Sequence, residues 1–431
     1  MTARERNKRI FVSDIHMGDD RSLDPPRNLH RYGLLGPGRA QMFTNFLKGV
    51  LQDPQVKQVI ILGDLFDAWV CPAQLAPPKF GAIAQAHCAI IDNLQAIVDH
   101  DEIELIYVPG NHDMMITPEI LTDIIPGIDY RGNGQGRGVF TEDGIAAEHC
   151  HVYDFMNAPD TIDDPGHHLP FGYFSTRAMI EYVATTGKSL FSIDTIINAL
   201  CNALRHILER DLELESKGHE SPINWVVKEA MPFLIEDMSN LNKSSIIQMD
   251  GVDDYVYPLW VGQVEELFAN MYDNWGLDVP GSCSNWDALC ADLSMADPFA
   301  SFYQVAEREY LKQAGKPDIV IFGHTHRPCI ENRNYFLFAE EVVRSSPGIP
   351  ELVNELAAKE ARDMQALAKP KKDGPFKYIY ANSGAWVDDV KKCTFVETQI
   401  DEDEARHYVR VQQYTSKGEI ELMWERYKDL N

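Results

Sequence analysis

An α/β fold with a layered core is predicted by short apolar runs that alternate with helical segments along the chain. Four runs are almost wholly apolar and rich in β-branched or aromatic residues, as buried strands are, and they lie at 10–12, 59–62, 105–108 and 319–322. Apolar residues recur with helical spacing over 43–51 and over 83–98. The last forty or so residues are predicted to form short strands and turns. Strands and helices in alternation are typical of layered α/β cores.

Each of the four predicted strands is followed at once by a polar cluster. In chain order the clusters read SDIH, GDLFD, PGNHD and GHTH. Ligands of open α/β sheets bind beyond the carboxyl ends of the strands. Polar clusters at all four strand ends therefore indicate a single functional site.

The pattern changes over residues 155–312, which open with a loop-like stretch rich in Pro, Asp and Gly and continue with amphipathic helices, one of them near 190–216. This segment holds 25 acidic and 9 basic residues, a net charge of −16. We predict a helical insertion or cap here, between core sections at 1–154 and 313–431, with a smaller insertion at about 345–372. An independent domain for an unknown protein partner is the alternative interpretation of 155–312.

The overall charge excludes some classes of partner. The 431-residue chain has a formal net charge of −27, from 39 Lys and Arg against 66 Asp and Glu. Nucleic-acid binding depends on basic side chains that neutralise phosphates, so long DNA or RNA is a poor substrate for this chain. An anionic membrane surface is disfavoured for the same reason.

The cysteines and the apolar segments indicate the cellular compartment in which the protein is expected. Eight cysteines are scattered without a CxxC pair, which favours free thiols in a reducing environment. The apolar run near the N-terminus is too short for a signal peptide, and no stretch approaches the length of a membrane-spanning helix. We therefore expect a cytoplasmic protein with no stable membrane insertion.

The polar clusters, together with His149 in AAEHCH at the end of another short apolar segment, supply a mixed set of carboxylate, imidazole and amide side chains. The candidate metal ligands are Asp14, His16, Asp64, Asn111, His149, His324 and His326. Asp14 and His16 are two positions apart just beyond a strand, so both can reach one metal ion. Asp64 and Asn111 each follow a glycine, which lets the backbone approach closely.

The ligand chemistry indicates two transition-metal ions. Oxygen and nitrogen ligands together favour Mn, Fe, Co or Zn over Ca or Mg. Seven ligands exceed the needs of one tetrahedral ion, so two ions that share a carboxylate are the economical arrangement. Ion pairs about 3.5–4 Å apart are common at sites of in-line displacement at phosphorus. We predict two divalent ions, with manganese favoured and iron or zinc as alternatives.

The ordered motifs D-x-H, G-D-x-x-D, G-N-H-D, His and G-H-x-H resemble the pattern of the calcineurin-like metallophosphoesterases. Residues 382–386, NSGAW, are similar to the NTGSW-type strand end of that family. The resemblance covers roughly 1–155 and 313–390 and rests on five blocks in order, which is far more specific than any one block. It implies a layered α-β-β-α sandwich with an inserted helical region, and a metal-dependent phosphoesterase activity.

The same resemblance implies a role for each residue. The two ligand sets that it implies are Asp14, His16, Asp64 and His326 for one ion and Asp64, Asn111, His149 and His324 for the other. Asp64 would bridge the ions, and His112, held by Asp67, would be the catalytic acid. The chemistry agrees, because water between two cations is ionised near neutral pH and an imidazole can protonate the leaving oxygen. A carboxylate such as Asp67 fixes the orientation of an imidazole.

Several assignments keep an alternative. The family usually has His-Gly-His or His-Gly where this chain has His149-Cys150-His151, so the local backbone is open and His151 is a rival ligand. Cys150 is interpreted as a small buried hydrophobe. Asp67 can instead cap a following helix, and Asp113 is expected to support the backbone rather than to catalyse.

The motifs favour one class of phosphoester substrate and leave two alternatives. GHTHRP resembles the branch of UDP-2,3-diacylglucosamine hydrolases, which cleave a pyrophosphate and carry a helical lid, but that branch has GNRD where this chain has GNHD. We expect a small phosphodiester or pyrophosphate, nucleotide-linked, with Arg327 as a candidate phosphate contact or a surface ion pair. The alternatives are a phosphomonoesterase or phosphoprotein phosphatase, suggested by a partial match to GDYVDRG and GNHE, and a non-catalytic binding protein on the same core. His167 and His168 are expected to be solvated, with a substrate contact as the alternative.

Overall fold

The computed structural model describes residues 6–23, 29–134, 136–154, 156–160, 162, 164, 168–186, 241–249, 259–268, 302–311, 317–330, 375–388 and 390–430. The helix predicted near 190–216 and the smaller insertion predicted at about 345–372 lie outside the described residues. None of the helices in the described ranges is both long enough and apolar enough to span a membrane.

The larger sheet has seven strands within the described ranges. From one edge to the other they are β14 (Ile420–Asp429), β13 (Arg406–Tyr414), β12 (Cys393–Asp401), β1 (Lys8–Val12), β2 (Val56–Leu62), β3 (Glu104–Val108) and β4 (Asp129–Tyr130). The four strands β1 to β4 run parallel, and β12, β13 and β14 pair antiparallel. The last three strands have 9, 9 and 10 residues, so this region forms longer strands than the sequence predicted.

A second sheet carries the fourth predicted run, 319–322. In spatial order it contains β10 (Cys329–Ile330), β11 (Ile379–Asn382), β9 (Ile319–Phe322), β6 (Ile145–Glu148) and β5 (Phe140–Glu142). The central strands β11, β9 and β6 run parallel, so their carboxyl ends meet at one edge. A separate pair joins β7 (Ile246–Ile247) to β8 (Leu259–Trp260).

Eight α-helices are described. They are α1 (Asp20–Leu23), α2 (Pro37–Gln52), α3 (Phe80–Ala86), α4 (Cys88–Val98), α5 (Pro118–Ile124), α6 (Phe171–Thr186), α7 (Val261–Leu267) and α8 (Tyr303–Ala306). Short 3₁₀ turns lie at Leu29–Tyr32 and His151–Tyr153, and a π-helical turn lies at Glu307–Leu311. The helical spacing over 83–98 is interrupted at His87, which ends α3, begins α4 and hydrogen-bonds the Gly18 carbonyl through Nε2 at 3.0 Å.

The two sheets pack face to face between two helical layers. Phe11 of β1, Ile60 of β2 and Ile321 of β9 belong to one buried cluster, which is the core between the sheets. On the opposite face of the larger sheet, Val59 packs with Leu94 of α4 in a second cluster that also includes residues of α2 and α5. This arrangement confirms the predicted α/β sandwich.

The fourth layer comes from the predicted insertion. Phe322 of β9 points away from the other sheet and shares a buried cluster with Phe174 of α6, Val264 of α7 and Val305 of α8. The described part of residues 155–312 therefore packs on the core as a structural layer. The exact limits of the predicted sections stay a prediction.

Candidate metal centre

The predicted metal ligands lie together at the carboxyl ends of five strands, β1, β2, β3, β6 and β9. Five of them have a left-handed backbone with φ between 50° and 69°, namely Asp14, His16, Asp64, His324 and His326. Residues other than glycine rarely adopt this conformation, and when they do they concentrate at functional sites. The strand ends are thus shaped to turn these side chains toward a common point.

One group of donor atoms consists of Asp14, His16 and His326, whose ligand atoms lie within 4.8 Å of one another. Nε2 of His16 is 3.0 Å from Nε2 of His326, and Oδ1 of Asp14 is 3.3 Å from the same nitrogen. The other oxygen of Asp14 accepts hydrogen bonds from the Ser13 hydroxyl and from the backbone N–H of His324, the latter at 3.0 Å. One carboxylate oxygen is therefore fixed by the protein, and the other faces the imidazoles.

A second group lies beside the first. Oδ1 of Asn111 is 3.0 Å from Nε2 of His149 and 3.1 Å from Nδ1 of His324. Nδ1 of His149 donates to the Leu62 carbonyl at 2.7 Å, so the lone pair of Nε2 faces the cluster. Amide oxygen and imidazole nitrogen at these distances form a donor set that fits a divalent transition metal.

Asp64 lies between the two groups. Its Oδ2 is 3.5 Å from Nε2 of His16 and 3.1 Å from Nε2 of His149, and its Oδ1 accepts the backbone N–H of His112 at 2.9 Å. Gly110 makes this close approach possible, since a Cβ there would lie 2.2 Å from Oδ1 of Asp64. The geometry is that of a carboxylate able to bridge two ions.

Asp67 is shared by two imidazoles. Its Oδ2 is 2.8 Å from Nδ1 of His112 and 2.8 Å from Nδ1 of His16, while Oδ1 accepts the backbone N–H groups of Trp69 and Val70 at 2.8 Å each. The indole of Trp69 stacks on the His112 ring, with centroids 4.4 Å apart and planes 25° apart. Asp67 thus combines the two roles left open by the sequence, imidazole partner and backbone cap, although it caps a turn and not a helix.

A family model described as calcineurin-like phosphoesterase matches residues 8–199, which include four of the five motif blocks. The chain carries a calcineurin-like phosphoesterase domain at residues 8–199, which supports its assignment to the metallophosphoesterase superfamily. It is a metal-dependent phosphoesterase, a hydrolase, and its Asp and His groups can hold divalent metal ions. A search of curated proteins finds no significant match to this metallophosphoesterase.

Opposite charges dominate the electrostatics of the metallophosphoesterase site. Burial alone would raise the pKa of the Asp64 and Asp67 carboxyls, but nearby imidazoles, chiefly His149 for Asp64 and His112 for Asp67, hold both well below the usual range. Burial alone would lower the pKa of His149, but the charges of Asp64 and Asp14 raise it to about 9. The buried carboxylates and imidazoles of this site therefore stabilise each other's charged forms.

Asp113 supports the turns that carry the ligands. Its Oδ2 accepts the backbone N–H of Leu65 at 2.8 Å, and its Oδ1 accepts that of Gly110 at 2.8 Å. Burial and the charge of Asp64 raise the pKa of this carboxyl to about 6. These contacts agree with the predicted supporting role for Asp113.

The geometry favours His149 over His151 as the ligand. Nε2 of His151 donates to the Gly136 carbonyl at 2.8 Å, which turns that nitrogen away from the cluster. Cys150, which replaces the glycine of the family, has φ of 73° and ψ of 2°, so it adopts the left-handed conformation that glycine takes easily. The unusual residue therefore leaves the backbone path intact, and its side chain is buried as predicted.

Asp154 and Trp69 were missed by sequence reasoning. Oδ2 of Asp154 is 3.2 Å from Nε2 of His324, so it orients that ring and leaves Nδ1 facing the cluster. Asp154 follows no recognisable motif, whereas Trp69 stands two positions after Asp67 in GDLFDAW and could have been noticed there. Among the candidate substrate contacts, His167 lies outside the described residues and Arg327 is half-buried beside His326.

Proposed function

We propose that the metallophosphoesterase hydrolyses small, nucleotide-linked phosphodiesters or pyrophosphates. It would use two divalent metal ions, and manganese is the metal we favour. The observation that carries the proposal is the position of Asp64, whose Oδ2 is 3.5 Å from a nitrogen of one donor group and 3.1 Å from a nitrogen of the other. Mixed oxygen and nitrogen donors support a transition metal rather than magnesium or calcium.

The ligand sets proposed are Asp14, His16, Asp64 and His326 for one ion and Asp64, Asn111, His149 and His324 for the other. When bound, such a pair of ions supplies a hydroxide near neutral pH and offsets the negative charge of the phosphoryl oxygens. Every side chain in the two sets is a deprotonated or neutral donor in that state, so ion binding and proton release are linked.

His112 is the proposed general acid. Its Nδ1 is 2.8 Å from Oδ2 of Asp67, so Nε2 is left for the substrate. The Asp67 carboxylate fixes the orientation of the imidazole, and stacking against Trp69 restricts rotation of the ring. A proton held at Nε2 of His112 can then pass to the oxygen of the leaving group.

A small substrate is supported by the limited exposure of the site. Of the proposed catalytic and ligating imidazoles, those of His112, His324 and His326 reach solvent, with side-chain exposures of 17 %, 11 % and 24 %. The ligands at the bottom of the site are fully buried. A net charge of −27 also opposes long nucleic acids as substrates.

A cytoplasmic location is proposed on the state of the cysteines. In the described part of the chain, Cys71, Cys88, Cys150, Cys329 and Cys393 are all free thiols. Free thiols, three of them buried, are typical of proteins in a reducing compartment.

The deciding experiment compares hydrolysis of bis-p-nitrophenyl phosphate with that of p-nitrophenyl phosphate by the manganese-loaded protein. We expect faster turnover of the diester, and a His112→Ala variant should retain both ions while losing about 10²- to 10⁴-fold in kcat. Faster turnover of the monoester would replace the proposal with a phosphomonoesterase or phosphoprotein phosphatase. No turnover of either ester by metal-loaded protein would favour a non-catalytic binding protein.

A further inference from the structure

Arg177 of helix α6 is a buried cation with no exposed surface. Its guanidinium donates hydrogen bonds to the backbone carbonyls of Leu75 and Gln248, the latter at 2.5 Å. It also donates to the carbonyls of Pro72 and Ala73, each at 3.3 Å. A buried charge is costly unless polar groups surround it, and here backbone carbonyls do so.

The carbonyls around Arg177 belong mainly to one irregular segment. Residues 67–76, which we call the dyad loop, contain no helix and no regular strand, so their backbone relies on other partners. Glu181, one helical turn beyond Arg177, accepts the backbone N–H of Gln74 at 3.2 Å. Gln248, also in the predicted insertion, donates its backbone N–H to the Ala73 carbonyl at 2.7 Å. The inserted region thus fixes one end of the dyad loop at several points.

The other end of the dyad loop holds His112. Asp67 approaches Nδ1 of His112 at 2.8 Å, and Trp69 stacks on the same ring. The backbone N–H of Ala68 donates to the His112 carbonyl at 3.3 Å, which joins the loop to the turn that carries this histidine. Residues 72–75 are thus only a few positions along the chain from Asp67 and Trp69, which contact the ring of His112.

We propose that Arg177 is a positioning residue, which holds the dyad loop so that Asp67 and Trp69 orient His112 for proton donation. The proposal rests on the proposed role of His112 as the general acid. Without the guanidinium, the carbonyls of Pro72, Ala73 and Leu75 lose a shared donor. The first two keep one backbone N–H partner each, from Leu75 and Gln248, so the loop is tied to α6 at fewer points and is free to shift. Arg177 makes no hydrogen bond to any of the seven proposed metal ligands, so the ions should remain bound.

The test uses Arg177→Met and the milder Arg177→Lys, which keeps the charge, in the full-length metal-loaded protein. Substrates are phenyl and p-nitrophenyl esters of whichever ester class the protein hydrolyses, because a poor leaving group needs the general acid more. We expect kcat for the phenyl ester to fall about 10-fold or more in Arg177→Met, within the range that a general acid contributes. The p-nitrophenyl ester should lose much less, two ions per chain should remain, and Arg177→Lys should lie between.

Arg9→Met is the matched control, since Arg9 is also a buried arginine but lies at the start of β1, away from the site. It should leave the ratio of the two ester rates unchanged even if it lowers stability. In a His112→Ala background, Arg177→Met should cause no further loss for the phenyl ester. The proposal is overturned if Arg177→Met lowers kcat equally for both esters or loses metal. It is also overturned if Arg177→Met lowers the phenyl ester rate further in the His112→Ala background. Failure of the proposed function is a separate result, because His112→Ala alone would then leave the phenyl ester rate unchanged.

Discussion

Two polar clusters lie at opposite ends of the same strands, and only one of them is suited to bind metal. At the start of β1, Arg9 donates to Gln58 at 2.5 Å and pairs with Asp143, which Lys57 also approaches at 3.2 Å. Beyond the end of β1, the ion-pair partners of Asp14 among the described residues are all imidazoles. The same sheet therefore neutralises its carboxylates in two different ways.

The two clusters differ in whether their basic side chains can give up a proton. Arginine and lysine keep their protons at any ordinary pH, so the cluster around Arg9 is permanently balanced by its own side chains. An imidazole, unlike a guanidinium, can give up its proton to a competing metal ion, which then takes both the nitrogen lone pair and the charge of the neighbouring carboxylate. A carboxylate cluster balanced by histidines can exchange protons for divalent ions, whereas one balanced by arginine cannot.

The largest effect expected from this comparison is that of Asp64→Ala. Asp64 contributes the oxygen that lies between both donor groups, so its loss should remove at least one ion and nearly all turnover. Asp143→Ala is the matched control, because it removes a carboxylate from the opposite cluster. Metal content by plasma mass spectrometry and kcat should be unchanged in that control. Retention of two ions by Asp64→Ala would show that Asp64 does not bridge them.

A smaller effect is expected at Asp154, which approaches His324 without reaching the centre of the site. Asp154→Asn keeps the size of the side chain but removes the charge that orients the ring. Loss of such a partner usually lowers metal affinity about 10- to 100-fold. Titration calorimetry with Mn²⁺ on the metal-free variant measures this change directly. An unchanged affinity would mean that the contact between Asp154 and His324 has no part in metal binding.

The contrast also explains which parts of the protein could be predicted from sequence. Residues such as Asp14 and His326 stand directly at strand ends, and strand ends are visible as apolar runs followed by polar motifs. Asp154 reaches the site from a loop outside any motif, and its contact depends on how that loop folds back. Local sequence therefore located the residues on the strands but not the partner supplied by tertiary folding.

The same reason applies to the fold. The central strands were predicted because each is apolar on both faces, as burial between two layers requires. The helical layer formed by α6, α7 and α8 was interpreted only as an insertion or cap, because amphipathic spacing shows that a helix has an apolar face but not what covers it. At the break between α3 and α4, His87 hydrogen-bonds Gly18, which is distant in sequence and could not be identified as a partner from local spacing.

The smallest expected effect is on stability at acid pH and concerns the Arg9 cluster. His407 is buried there, near the permanent charge of Arg9. Burial and then the charge of Arg9 lower the pKa of His407 to about 4, below the value of about 6.5 in an unfolded chain. Between these values the unfolded chain binds more protons, so this histidine lowers stability as pH falls from about 6.5 to 4. No stability is lost through His407 above pH 6.5, and the loss by pH 4 is at most about 3.5 kcal/mol, at about 1.4 kcal/mol per pH unit.

His407→Gln should therefore reduce the acid sensitivity of the metal-free protein. We expect the difference in urea unfolding midpoint between pH 7 and pH 5 to be smaller in this variant than in the wild type. His100→Gln is the control, since His100 is only half-buried and lies on a surface loop after α4. Equal acid sensitivity in wild type and His407→Gln would show that protonation of His407 does not destabilise the folded protein. The permanent charge of Arg9 would then not be what makes the cluster around it resist protonation.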